Sequence, residues 1–195
     1  GGMGAYSPVP QVSAEVIREA TVRILEPVAQ ALSMEEMPFT GVLYAGLMLT
    51  KEGIKVIEFN ARLGDPETQV LLPRLESDLV EAILSILQGR RPTLKWSDES
   101  MVGVVVASEG YPGSFETGVM LPIFDPGEEA DIFFSGVAQS EAGELVSSGG
   151  RVYLAAGKGS CLEDACRAVY AFLAKHDQPR FFYRTDIGQR GINKS

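Results

Sequence analysis

VIEFNARLGDPETQ, residues 56–69, runs from an apolar strand into a polar loop. Val56, Ile57 and Phe59 favour extended backbone, and Gly64 and Pro66 break it. On a strand, Glu58 and Asn60 lie two residues apart and share one face. A carboxylate and an amide carbonyl are hard oxygen donors. One or two such ligands, completed by substrate phosphates, are a common way to hold Mg²⁺. Arg62 continues that face if the strand persists, where its fork of donors reaches a phosphoryl group. Asp65 and Glu67 add a second group of carboxylates, suited to a substrate amine or ribose or to steering Arg62. A metal, a phosphate-reading arginine and a carboxylate loop are the parts of a phosphoryl-transfer site. The alternative is a strand end whose polar side chains meet only water, with the carboxylates holding the loop by N-cap-type bonds.

Upstream, residues 39–50 read as a largely apolar strand, buried on both faces. Lys51-Glu52-Gly53 turns the chain, so residues 39–60 form an antiparallel hairpin. Residues 1–10, GGMGAYSPVP, read as a Gly/Pro/Ser loop. A helix capped by Ser13 follows, with apolar positions at Ile17, Ala20, Ile24, Val28, Ala31 and Leu32, divided by Pro27. Downstream, a helix capped by Ser77 extends to Gln88 and stops at Gly89. Arg90-Arg91-Pro92 marks a boundary, giving pieces at residues 1–92 and 93–195. Beyond it lie strands at 102–107, 131–139 and 151–156, a helix at 161–175 and a final strand at 181–185. The pattern is α+β with mainly antiparallel strands.

Composition bounds the rest. The chain has 195 residues, 45% hydrophobic and 22% charged, as in ordinary globular proteins. Seventeen Lys and Arg against 26 Asp and Glu leave a net charge of -9, which repels nucleic acid. No apolar run is long enough for a membrane span, and the start lacks a signal-peptide pattern. His176 is the only histidine, which excludes a His-based metal site or a Ser-His-Asp triad within the chain. Cys161 and Cys166 read as two buried, reduced thiols on different faces of a helix, in keeping with a cytoplasmic chain. Gly1, Gly2 and Gly4 bring backbone N–H groups to an anion or substrate, or form a plain tight turn. Gly149-Gly150-Arg151 reads as a hairpin turn, and Arg184 and Asp186 as ties for the end of the chain.

Residues 56–69 closely resemble the signature of the phosphoribosylamine–glycine ligase family. GGMGAYSPVP, GVLYAGLML, the later SGGRV and the terminal YRTDIG are similar to that family too, in family order along essentially the whole chain. The resemblance implies the second half of an ATP-grasp domain followed by a small C-terminal α+β domain. Family members are about twice as long, so the N-terminal half and the ATP lid would lie elsewhere. The implied reaction belongs to purine biosynthesis. ATP phosphorylates glycine, and 5-phosphoribosylamine attacks the glycyl phosphate to give glycinamide ribonucleotide, ADP and phosphate. By the same resemblance Glu58 and Asn60 bind Mg²⁺ or Mn²⁺; Arg62 is assigned to the phosphoryl group from its own place in the motif. Gly2, Gly4, Asp65 and Glu67 are placed on the substrate side. Many ATP-grasp enzymes carry an acidic ligand on the preceding strand, where this chain has Gly46. Met48, two residues on, lies beneath the adenine or else packs in the core. The expected partners are ATP, glycine, 5-phosphoribosylamine and the missing half, with neither nucleic acid nor membrane. Alone, the chain is expected to fold without catalysing. The rival readings are another ATP-grasp ligase or a biotin-carboxylase-like enzyme, against which DPETQ after NAR argues, and a non-catalytic scaffold.

Overall fold

The computed structural model describes residues 2–125 and 129–192. In chain order the elements begin with β1 (Gly4–Ser7), α1 (Ala14–Ala20), a π-helical turn (Thr21–Leu25) and α2 (Glu26–Ser33). The hairpin β2 (Tyr44–Thr50) and β3 (Gly53–Asn60) follows, then α3 (Thr68–Leu71), a 3₁₀ turn (Leu72–Arg74) and α4 (Leu79–Leu87). The remainder is β4 (Ser100–Ser108), β5 (Ala130–Phe134), β6 (Val137–Gln139), β7 (Leu145–Ser147), β8 (Arg151–Gly159), α5 (Leu162–Lys175), β9 (Phe181–Phe182) and α6 (Gln189–Ile192). The chain divides into two compact units. The larger is Gly1–Val9, Asp65–Arg74 and Ser97–Ser195; the smaller is Pro10–Gly64 and Leu75–Trp96.

The larger unit is built on an antiparallel sheet of order β1-β4-β8-β5, with β9 also pairing to β4. Every residue of β4 is buried. Its alternation explains why it reads as continuously apolar. Val102, Val104 and Val106 pack with Val169, Phe172 and Leu173 of α5. Met101 and Val105 pack on the other face with Val70 of α3 and Leu154 of β8. The opening residues are therefore not a loop: Gly4 to Ser7 add a strand to β4. That pairing is a tertiary contact, and the local Gly and Pro content hides it. The expected strand at 131–139 is two strands, with Ser135 and Gly136 between β5 and β6. The final strand is two residues long rather than five.

In the smaller unit, Ser13 caps α1 as expected, its hydroxyl accepting from Val16 N at 3.3 Å. The helix widens into the π turn just before Pro27. A wide turn accommodates a residue that has no N–H to donate. The cap of α4 is Asp78, whose carboxylate accepts from Glu81 N at 3.0 Å, and not Ser77. Ser77 Oγ instead accepts from Lys95 N at 2.7 Å. Gly89, at φ +70°, ends the helix.

β2 and β3 form a two-stranded sheet of their own. The strand begins at Tyr44, not at 39, and it is not buried on both faces. Ile57 is 63% exposed and Met48 53%. Two strands alone cannot enclose side chains on both faces, so the apolar pattern exceeds the cover within the unit. Opposite Gly46–Leu47 the register slips, leaving Ile57 as the extra residue of a bulge. A bulge re-aims the side chains that follow it. Glu58 and Asn60 are those residues.

Candidate functional site

Glu58 and Asn60 do share a face. Asn60 Nδ2 donates to Glu58 Oε1 at 3.0 Å. In the ladder Glu58 stands opposite Gly46 and Asn60 opposite Tyr44. A Cβ at position 46 would lie 3.1 Å from Glu58 Cγ, so the glycine keeps that approach open. Met48, two residues along β2, falls on the same face and is exposed. The donor set suits a hard divalent ion: one carboxylate, and one amide whose carbonyl oxygen comes to the carboxylate side on rotation about Cβ–Cγ. Among the described residues no cluster of three or more His, Cys, Asp or Glu could hold a metal. An ion here would complete its shell with phosphate oxygens or water.

Arg62 lies beyond the end of β3 and does not continue its face. It is exposed, and Nη1 donates to Leu63 O at 2.9 Å. The rest of its fork carries no bond among the described residues.

In the larger unit the loop after Gly64 is anchored. Val70 is 1% exposed beneath β4, and Pro66 is fully buried. Asp65 accepts from Gln69 Nε2 at 3.0 Å and pairs with Arg151 Nη2. Arg151 Nη1 also donates to Gly2 O at 3.2 Å and Asp65 O at 3.3 Å. Asp65 thus holds the loop, through side-chain partners rather than an N-cap bond. Glu67 sits at the start of α3 without capping it by its side chain. With Gly4 it lines a pocket of about 400 Å³. Gly2 and Gly4 each have a packing reason: a Cβ would come within 2.8 Å of Pro66 Cδ and 2.6 Å of Gly103 O respectively.

Two family models match. The ATP-grasp (A) domain of phosphoribosylglycinamide synthetase matches residues 1–68, and the C domain of the same synthetase matches residues 101–190. The chain belongs to the phosphoribosylglycinamide synthetase family. Curated relatives include the phosphoribosylamine–glycine ligases of Halalkalibacterium halodurans, 52% identical over 98% of this chain and 45% of the relative. That of Lactococcus lactis is 50% identical over 98% of this chain and 46% of the relative. The chain therefore spans about half the length of the curated relatives it matches. The solved ligase of Thermotoga maritima is 35% identical, with TM-score 0.77 over 95% of this chain and 46% of that one. A biotin carboxylase domain from Hydrogenobacter thermophilus shares the fold, at 14% identity and TM-score 0.63 over 94% of this chain and 40% of that one. The α+β ATP-grasp expectation agrees with these likenesses.

Two residues of the chain are placed otherwise than the sequence suggested. Arg151 heads β8 and clamps the loop at Asp65 instead of turning a hairpin. Cys161 is exposed and only Cys166 is buried; both are free. Burial, and then the charge of Glu163, push the Cys166 thiol upward. His176 caps α5, its Nδ1 3.0 Å from Phe172 O. Among the described residues no helix is long and apolar enough to cross a membrane.

Proposed function

We propose that the chain is part of an ATP-dependent ligase that joins glycine to 5-phosphoribosylamine, giving glycinamide ribonucleotide, ADP and phosphate. One observation carries the reading: Glu58 and Asn60 meet on one face of β3, beside an open Gly46, in a chain about half identical to named ligases along nearly its whole length. Glu58 and Asn60 would hold Mg²⁺ or Mn²⁺. Such an ion would neutralise charge on the nucleotide phosphates and on the phosphoryl group in transfer. The uncommitted donors of Arg62 complement that group. The exposed thioether of Met48 lies on the same face, where it can underlie the adenine. Forming a glycyl phosphate needs no histidine base, in keeping with a single histidine used as a helix cap. Glu67 and the β1 backbone near Gly2 and Gly4 belong to the substrate side, and Asp65 positions them. Free thiols fit a cytoplasmic setting.

The test is glycine-dependent ADP release by a protein of the relatives' full length that contains this chain. Glu58→Ala should lower turnover by orders of magnitude, because the ion loses its only charged ligand on β3. Near-normal turnover at limiting Mg²⁺ would refute the assignment.

A further inference from the structure

β5 is the outer strand of the main sheet. It pairs with β8 and, among the described residues, with nothing on its other side. Two hydrogen bonds fix which of its backbone groups are free. Ser135 N donates to Val152 O at 2.9 Å, and on the far side of the sheet Val105 N donates to Met3 O at 3.0 Å. An antiparallel ladder alternates between bonded and non-bonded pairs. Carried along the register from either bond, that alternation commits the backbone of Asp131 and Phe133 to β8 and turns the N–H and C=O of Ala130, Ile132 and Phe134 outward. Natural edges are blunted by proline, bulges or charge. Ala130–Phe134 holds one charged residue, Asp131, and no proline.

The same strand borders an apolar cavity. Ile132 and Phe134 face a space of about 500 Å³ closed by Ile123, Phe124 and Leu145. Ile123 is 87% exposed. In a strand laid along β5, the side chains opposite Ile132 and Phe134 would point to that space. Those between them would fall on the other face, beside the exposed Asp131.

The charge around this edge has one sign. Residues 118–150 contain no Lys, Arg or His, while Asp125, Glu129, Asp131, Glu141 and Glu144 lie among them. Glu144 is the only charged residue lining the cavity. Neither its carboxylate nor that of Asp131 has a hydrogen bond or ion pair among the described residues. A second copy of this chain would bring the same acids to the same edge, and like charges opposed across a strand pair destabilise it.

We infer that β5 is a docking edge for an extended segment of a partner protein in which apolar residues alternate with Lys or Arg. The apolar residues enter the cavity beside Ile132 and Phe134. An alternate basic residue meets Asp131, a flanking one meets Glu144, and the outward backbone groups of β5 extend the ladder by one strand. In this mode main-chain bonds give affinity and alternate side chains give specificity. The edge uses none of the residues assigned to the ligase reaction.

The test is calorimetry of this chain with three end-blocked peptides: KLKLKLK, ELELELE, and KLKLKLK with N-methyl groups on its leucines. KLKLKLK should bind and ELELELE should not. N-methylation removes the donors that face β5 and should weaken binding roughly tenfold or more. Asp131→Asn combined with Glu144→Gln should weaken KLKLKLK roughly fivefold or more, with circular dichroism showing the variant folded. Hydrogen exchange read by NMR locates the contact. The amides of Ile132 and Phe134 should gain protection with peptide, and those of Asp131 and Phe133, already bonded to β8, should not change. Equal affinity for the N-methylated peptide or for ELELELE overturns the inference. So does unchanged affinity in the folded double variant, missing protection at Ile132 and Phe134, or no binding of KLKLKLK. A concentration-dependent dimer in sedimentation that protects the same two amides without peptide overturns it as well.

Discussion

Arg151→Met tests whether the loop at residues 62–69 is held from a distance. The substitution keeps the aliphatic stem and removes the charged fork. Three contacts go at once: the ion pair to the Asp65 carboxylate, and the bonds to Gly2 O at 3.2 Å and Asp65 O at 3.3 Å. A charge-assisted hydrogen bond contributes about 1.5–3 kcal/mol when well buried, and an exposed ion pair about 0–1. Arg151 is 20% exposed but Asp65 is 42% exposed, and Asp65 keeps Gln69 as a donor. The two carbonyl bonds are long. The net loss should therefore be about 1–2 kcal/mol, which at this chain length lowers the unfolding midpoint by roughly 2–8 °C. Urea unfolding followed by circular dichroism measures it. A double-mutant cycle with Asp65→Asn isolates the pair and should return about 1 kcal/mol of coupling. Faster hydrogen exchange at Val70 and Leu71, whose amides donate to Glu67 O at 3.1 and 3.0 Å, would show that the loss is local to the loop. Additive single effects with unaltered exchange at these amides would refute the clamp.

Other outcomes follow from the same structure. Val70→Ala should cost about 1–3 kcal/mol in urea unfolding, because the cavity opens between α3 and a fully buried β4; a loss below about 0.5 kcal/mol would contradict the anchoring. Native thiol labelling at pH 8 should modify Cys161 and spare Cys166, and mass spectrometry of the peptides decides it. Burial raises the Cys166 thiol and pushes the Tyr170 phenol up to about 12, so the folded state keeps protons that the unfolded state sheds first. Stability should then hold below the ordinary thiol range and decline as pH rises above about 9, and a flat profile to pH 11 would refute the burial argument. Mg-ATP should bind this chain only in the millimolar range, about -4 kcal/mol, since β2 and β3 offer one exposed sheet face and bulk water screens the phosphates; micromolar affinity by calorimetry would show the site to be complete here.

Local chemistry made several elements readable. Gly53, at φ +102°, turns the hairpin where Lys51-Glu52-Gly53 predicted it, and Ser13 and Gly89 bound their helices. The two-residue spacing of Glu58 and Asn60 sufficed to put them on one face, because nothing intervenes between adjacent strand positions. What failed depends on distant partners. β1 exists because β4 offers an edge about a hundred residues later in the chain, and a Gly/Pro-rich string gives no local sign of it. The bulge at Ile57 is set by the register of β2, which a strand pattern does not encode. Burial of β2 was overread for a related reason. Apolar residues on a strand signal that something covers them, and not which layer supplies the cover.

Residues 62–69 show the same division within one loop. Asp65 and Glu67 have one charge, one spacing and one loop, so sequence treats them alike. Arg151 separates them, from 86 positions away. It engages the Asp65 carboxylate, whose remaining donor is Gln69, leaving Asp65 to fix the loop against β1 and β8. Glu67, one turn closer to the buried Val70, instead lines the pocket that Arg190 faces. The rigidity supplied by the first carboxylate holds the second at the pocket wall. A loop free to move would spread Glu67 over many positions, and each would have to be restrained again whenever a ligand bound. The anchoring residues and the pocket-lining residues are therefore interleaved along the chain. Substitutions at Asp65 and Arg151 should therefore register mainly as lost stability.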